Sequence, residues 1–187
     1  MKLVIGVGGA SGMIYALRLF QKLQQPALES QCSKIVAVFS DNAKNIWQDE
    51  IGDKQTIENL PFEIYDNHNF YVPPASGSST FDTMIIAPCS TGTMSRIACG
   101  ISDSLIGRIA DVMLKERKKL ILALREMPLN LIHIRHMASL TEAGGIICPT
   151  SPSFYTRPQT VEEVCDTVID RLLDLAGFTH FSKRWQD

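Results

Sequence analysis

Short apolar blocks alternate along this chain with stretches of helical period. Residues 2–7 (KLVIGV) form a nearly unbroken apolar run that passes straight into Gly8-Gly9-Ala10-Ser11-Gly12. Across 13–24, Ile14, Leu17, Phe20 and Leu23 recur at three-residue steps, which places them on one helix face. Residues 34–39 (KIVAVF) predict a second strand, and Ser40-Asp41-Asn42 is a capping sequence for a helix running to about 49. Further strands are expected at 84–87, 120–124 and 146–148, and helices at about 93–99, 104–118, 129–143 and 160–175. Gly144-Gly145 suits a left-handed helix end. Residues 51–80 show no clear period and read as turns, including the loop PPASGSS at 73–79.

Wholly apolar strands separated by helices predict a parallel sheet covered on both faces. The fold class is therefore α/β, a three-layer, doubly wound parallel sheet of flavodoxin-like or Rossmann-like order. No repeat or linker interrupts it, so 1–187 is expected as a single domain with a C-terminal tail from about 178. Ligands of such sheets bind beyond the carboxyl ends of the strands, where the glycine-rich and polar segments are expected to fall.

Composition narrows the function classes. Of 187 residues 45% are hydrophobic, a globular rather than a disordered level. Eighteen basic against twenty acidic side chains give a net charge of −2, which argues against a nucleic-acid partner. The apolar runs fall far short of the roughly 20 residues that span a bilayer. The first strand enters glycines without a cleavage site, so no signal peptide is expected. The five cysteines (32, 89, 99, 148 and 165) include no C-x-x-C pair and fit neither a disulfide framework nor a zinc site, so reduced thiols in a cytoplasmic compartment are expected.

Three loops carry candidate chemistry. The segment from Gly6 to Gly12 follows a strand and opens a helix, as a phosphate-binding turn does, although it is a near miss of G-x-G-x-x-G and lacks the P-loop lysine. A plain tight turn, with Ser11 as a helix cap, is the competing reading. Cys89-Ser90-Thr91-Gly92-Thr93 suits a second anion nest or, equally, a helix cap. The 73–79 loop suits a substrate lid, but an ordinary surface loop is favoured. The basic run 115–119 reads as a solvated helix end, whereas Arg125-Glu126 just beyond a strand end reads as functional. His133 and His136 lie three apart, and surface or capping roles outweigh metal ligation, so no metal site is assigned.

Six segments also stand in the order seen in one family. Gly9-Ala10-Ser11-Gly12, Pro74-Ala75-Ser76-Gly77-Ser78, Cys89-Ser90-Thr91-Gly92-Thr93, Ala110-Asp111-Val112-x-Leu114-Lys115-Glu116-Arg117, Arg125-Glu126-x-Pro128-Leu129 and Pro152-x-Phe154-Tyr155-x-x-Pro158 together resemble the UbiX-type flavin prenyltransferases. The resemblance runs from residue 2 to about Trp185, whose match needs a one-residue shift and is not counted in the site. It implies a flavodoxin-like homo-oligomer, a dodecamer, that binds reduced FMN and alkylates it with dimethylallyl phosphate. A fourth ring closes between flavin N5 and C6 without a metal. The prenylated FMN then serves a UbiD-type decarboxylase in ubiquinone biosynthesis or aromatic-acid breakdown.

Carried over one position at a time, the resemblance implies FMN contacts at Gly9, Ala10, Ser11, Ser40, Ser90, Thr91, Gly92, Thr93 and Arg125. Gly92 stands where many members have lysine. Ser11, Glu50, Lys115 and Glu126 fall on catalytic positions, Glu50 near the reacting flavin edge and Glu126 orienting basic groups or handling protons. Ser11, Arg108, Lys115, Arg125 and Glu126 form the phosphate-facing set, and Tyr155 and Arg171 match positions that clamp the prenyl phosphate from a neighbouring subunit. The alternatives are an FMN-dependent cysteine-type decarboxylase, an aromatic-acid decarboxylase and an FMN-binding or delivery protein. The cysteine-type enzymes typically carry a Pro-Ala-Ser-Ala-Asn-Thr-like loop and an early histidine. This chain has Pro-Ala-Ser-Gly-Ser-Ser, and its first histidine is His68. A nicotinamide dehydrogenase is least favoured, since Ser40 rather than an acid ends the second strand.

Overall fold

The structure, a computed structural model, describes residues 1–179, so Trp185 and most of the expected tail lie outside the described residues. Six strands, β1 (Lys2–Val7), β2 (Lys34–Phe39), β3 (Glu63–Asp66), β4 (Thr83–Cys89), β5 (Lys119–Leu124) and β6 (Ile146–Pro149), form one parallel sheet in the order β3-β2-β1-β4-β5-β6. This is the doubly wound sheet the pattern predicts, in Rossmann-type order, with the reversal between β1 and β4. Successive strand residues point to opposite faces. Leu3, Ile5 and Val7 accordingly enter one core with Ala37, Phe39, Ile85 and Ile121, while Val4 enters a second core with Val36, Val38, Met84, Ile86, Leu120 and Leu122.

Helices α1 (Met13–Leu23), α2 (Pro26–Glu29), α3 (Asp41–Glu50) and α7 (Val161–Ala176) cover the first face, and α4 (Thr91–Ala98), α5 (Leu105–Lys115) and α6 (Leu131–Glu142) the second. Serine, asparagine and threonine start five of them. Ser40, Ser90, Ser104, Asn130 and Thr160 each accept a backbone N–H at the N-cap. His133 closes the cap of α6 by accepting from Asn130 N–H, the capping role favoured for it above. Gly177 ends α7 in the left-handed conformation, and Phe178, where the tail was expected to begin, is buried in the first core.

Four expectations need correction. Residues 51–80 contain β3, whose sequence Glu-Ile-Tyr-Asp is only half apolar because an edge strand has a single neighbour and shallow burial. The sequence pattern gives no sign of the short α2, and α5 ends at Lys115, the first residue of the basic run, rather than at about 118. The 73–79 loop does not sit wholly at the carboxyl end of the sheet. It follows α5 downward, with Ala75 O accepting from Arg108, Gly77 against Lys115 and Glu116, and Ser79 O accepting from Lys118, to reach the amino end.

An aromatic cluster anchors the first core. Phe20 lies with its ring centroid 6.0 Å from Phe39, 6.2 Å from Trp47 and 5.5 Å from Phe62, and Trp47 donates its indole N–H to Gln55 O at 2.7 Å. Phe20 is fully buried between α1 and the sheet. Phe20→Ala is expected to cost about 3–5 kcal/mol, the range for deleting a buried aromatic ring. Urea unfolding followed by tryptophan fluorescence measures this, and an unchanged midpoint would contradict it.

Candidate active site

The glycines after β1 answer a steric demand. Gly8 N–H donates to Pro88 O at 2.9 Å, and a Cβ on Gly8 would lie 2.8 Å from that same oxygen. A Cβ on Gly9 would lie 2.6 Å from Asn42 Cβ. The β1 exit is thereby pressed against the exits of β4 and β2, and Ser40 N–H adds a bond to Val7 O at 3.0 Å.

Between these exits lies a cleft of about 360 Å³ lined by Gly9, Ser40, Asp41, Asn42, Asn67, His68, Ser90, Gly92, Thr93, Arg96, Asp103 and Ser104. Three helix N-termini open into it, those capped by Ser40 (α3), Ser90 (α4) and Ser104 (α5). Each brings the positive end of a helix dipole, and α3 and α4 add first-turn N–H groups, the chemistry of an anion site, whereas the first turn of α5 is already bonded to Asn67 and Ser104. The cap serines accept from Ala43 N–H (3.2 Å), Thr93 N–H (3.1 Å) and Gly107 N–H (3.2 Å). An accepting hydroxyl keeps its own proton to donate, so the capping and anion-nest readings of 89–93 are compatible. Two acids also reach the cleft, and each is paired: Asp41 with His68 at 2.9 Å, and Asp103 with Arg96.

Beside the cleft is a second group. Glu50 Oε2 accepts from Gly12 N–H (2.9 Å) and Met13 N–H (2.7 Å). The first N–H groups of α1 are therefore satisfied by a carboxylate of the same chain. Ser11 does not cap α1; Gly12 takes that position, with left-handed backbone, and Ser11 is exposed beside it. Ala10 is buried, its N–H turned back to Gly8 O. Arg125 follows β5, its N–H donating to Cys89 O at 3.0 Å and its side-chain stem close to Gly12. Its Nε is buried and has no partner among the described residues. Glu126 accepts from the Thr91 hydroxyl (3.0 Å) and from Met127 N–H (3.1 Å), and these two bonds hold its carboxyl below the usual range.

The remaining predicted residues are elsewhere. Arg108 donates to Ala75 O at 3.0 Å and pairs with Asp111 at 2.9 Å, while Lys115 pairs with Glu116 where α5 ends near the amino edge of the sheet. The strands between run about 20 Å, so Lys115 and Arg125 are not neighbours within one chain. Tyr155 and Arg171 share a third location, a groove of about 800 Å³ along α7 with Lys22, Arg157, Asp166 and Asp170. There Arg18 grips Asp166 through two bonds and Lys22 reaches Asp170, whose pKa is raised by burial against the opposing effect of that lysine.

Sequence reasoning missed Asn42, Asn67, the His68–Asp41 pair and the Arg96–Asp103 pair. Asn67 is buried and joins β3 to α5 by accepting from Leu105 N–H at its carbonyl (2.7 Å) and from Ile106 N–H at its side chain (3.2 Å). Its only signal was the polar run 66–69, which reads as a turn.

The residues fit a flavin mononucleotide. The cleft offers hydroxyls and helix N-termini for a phosphate, its glycine floor lets a ligand approach the backbone, and the orphaned Arg125 Nε calls for an acceptor. No helix among the described residues is long and apolar enough to cross a membrane.

Comparison with known proteins agrees. The family model described as Flavoprotein matches residues 1–173. The chain is 41% identical over 187 residues to the flavin prenyltransferase UbiX of Methanocaldococcus jannaschii, covering 99% of this chain and 98% of that one. Among solved structures it resembles a dodecameric FMN-dependent UbiX-like decarboxylase from Escherichia coli O157:H7, with a TM-score of 0.90, 35% identity and complete coverage of both chains. It also resembles AnUbiX (PadA1) in complex with FMN and dimethylallyl pyrophosphate, with a TM-score of 0.86, 33% identity and coverage of 99% of this chain and 98% of that one. A doubly wound sheet with a polar cleft at its reversal and full-length identity at this level lead to one assignment: the chain belongs to the flavoprotein family, among its UbiX-type flavin prenyltransferases.

Proposed function

We propose that this protein is a flavin prenyltransferase that joins a dimethylallyl group from dimethylallyl phosphate to reduced FMN, and that prenylated FMN passes to a UbiD-type decarboxylase in the cytoplasm. The observation that carries the reading is the convergence of three helix N-termini, beside which the buried Arg125 Nε has no partner among the described residues. Reduced FMN supplies the nucleophilic N5 and C6 positions when bound. Gly9, Ala10, Ser11, Ser40, Ser90, Thr91, Gly92 and Thr93 hold and surround it, the hydroxyls and free amides taking its phosphate. Arg125 contacts the flavin through the Nε that has no acceptor of its own.

The prenyl phosphate needs cations as its leaving group gains charge. Arg125 is at hand, and Arg108, Lys115, Tyr155 and Arg171 are offered at other faces of the chain. We read the complete site as assembled from neighbouring copies in a homo-oligomer, a dodecamer by likeness to its relative. Each chain, 1–187 as one domain, then presents its cleft to another chain's Lys115. Glu126, deprotonated and oriented by Thr91, aligns the basic groups and accepts a proton, and Glu50 stands beside Ser11 at the loop that faces the flavin edge.

Anaerobic incubation of the pure protein with reduced FMN and dimethylallyl phosphate is expected to yield a heavier flavin with an altered absorption spectrum. Recovery of unmodified FMN alone would refute the reading, as would a Lys115→Ala or Glu126→Ala protein that differs from wild type only in FMN affinity.

Shared sites make a further expectation. Lys115→Ala and Arg125→Ala proteins, each inactive alone, should regain activity when dissociated and reassembled together, approaching roughly a quarter of the wild-type level if subunits mix at random. Mixing without recovery would place both residues in a single chain's site.

The Glu126 carboxyl should titrate below the ordinary range in a ¹³C carboxyl NMR experiment, and Thr91→Val should move it upward. Since its folded pKa is depressed, its contribution to stability is complete above the unfolded carboxylate pKa and is lost as pH falls through the folded value. An unmoved titration in Thr91→Val would show that the hydroxyl is not the cause.

A further inference from the structure

Away from the flavin cleft, α4 and α6 bring together nucleophilic and basic side chains that prenyl transfer does not use. Cys99 stands at the C-cap of α4 with its Sγ 3.8 Å from Nε2 of His136, and His136 Nδ1 lies 2.8 Å from Ser95 Oγ, one turn back on α4. We propose that Cys99, His136 and Ser95 form a base-assisted reactive thiol, a site of mixed-disulfide formation with low-molecular-weight disulfides.

The arrangement has the order of nucleophile, base and orienting group. When Nδ1–H donates to Ser95 Oγ, the imidazole is held in the tautomer whose Nε2 lone pair faces the thiol. His133, three residues earlier on α6, is engaged in the helix cap and does not share this role. Among the five cysteines only Cys99 is exposed. Burial pushes the Cys89 thiol up to about 12 and Cys32 to about 11, and it raises Cys148 and Cys165 as well. The nearby Arg96 is paired with Asp103. The imidazole is therefore the group that supplies the reactivity.

In the exchange His136 Nε2 takes the Sγ proton while Sγ bonds to one sulfur of the disulfide. The S–S bond breaks, and the departing thiolate takes the proton from the imidazolium. One disulfide and one thiol become one mixed disulfide and one free thiol, with no other oxidant required.

The test uses the intact, assembled protein with glutathione disulfide as probe and peptide mass spectrometry to locate the adduct, and iodoacetamide alkylation to give rates at neutral pH. Cys99 is expected to react first and faster than free glutathione, and Cys99→Ser to leave no rapid adduct. His136→Gln should slow alkylation by about tenfold or more, the scale of general-base assistance, and Ser95→Ala by less. Circular dichroism melting establishes that each variant is folded; should His136→Gln not fold, the Ser95→Ala rate decides. Reaction no faster than free glutathione, a rate indifferent to the substitutions, or a Cys99 protected in the assembled protein would each overturn the proposal.

Discussion

Where the strand order reverses, β1 and β4 leave the sheet side by side, and the chain must turn toward opposite faces within two or three residues. The contact that makes this possible is the approach of Gly8 to Pro88, an N–H···O bond of 2.9 Å at a separation that leaves no room for a side chain. Moving the β1 exit outward by the width of a methyl group would separate Gly9 from Asn42 and open the space between the starts of α3 and α4. The anion cleft is the gap that remains when three loops are packed this tightly, and its polarity follows because every helix in the gap starts there.

That geometry lets one residue type serve stability and binding together. Ser40, Ser90 and Ser104 each satisfy an orphan helix N–H through the hydroxyl oxygen, and a hydroxyl that accepts still has a proton to donate. The acids at the rim, Asp41 and Asp103, would repel a phosphate if bare; Asp41 is hydrogen-bonded to His68, and Arg96 offsets the charge of Asp103. Glu50 plays a different part, since its carboxylate already occupies the N-terminus of α1.

The cations of the resemblance are distributed over three faces. Arg125 is at the carboxyl end of the sheet, Lys115 near the amino end of the same sheet, and Arg171 on the outer side of α7. A helix such as α5 carries its first and last turns to opposite ends of the sheet, so residues close in sequence pattern need not be close in space. For a site that needs all of these charges, association of copies is a condition of activity rather than an addition to it.

Much of the architecture was legible in the sequence because its causes are local. Apolar runs such as 34–39 and 84–87 name buried strands, and Ser40 and Gly144 announce helix ends by their own hydrogen bonding and backbone freedom. Of the residues in the ordered motifs, Gly9, Ser90, Gly92 and Thr93 line the cleft, together with Ser40 at the end of β2. What depended on long-range packing was not legible. β3 was hidden because an edge strand needs no continuous apolar signal, and Asn67 because its buried bonds join segments far apart in the chain. The occupation of the α1 N-terminus by Glu50, 37 residues away, and the placement of Lys115 at the far end of the sheet are likewise tertiary facts. Sequence determined which elements form and which chemistry they carry, since those follow from neighbouring residues. Only the folded chain decided which of those groups meet, because meeting depends on strand order and helix direction.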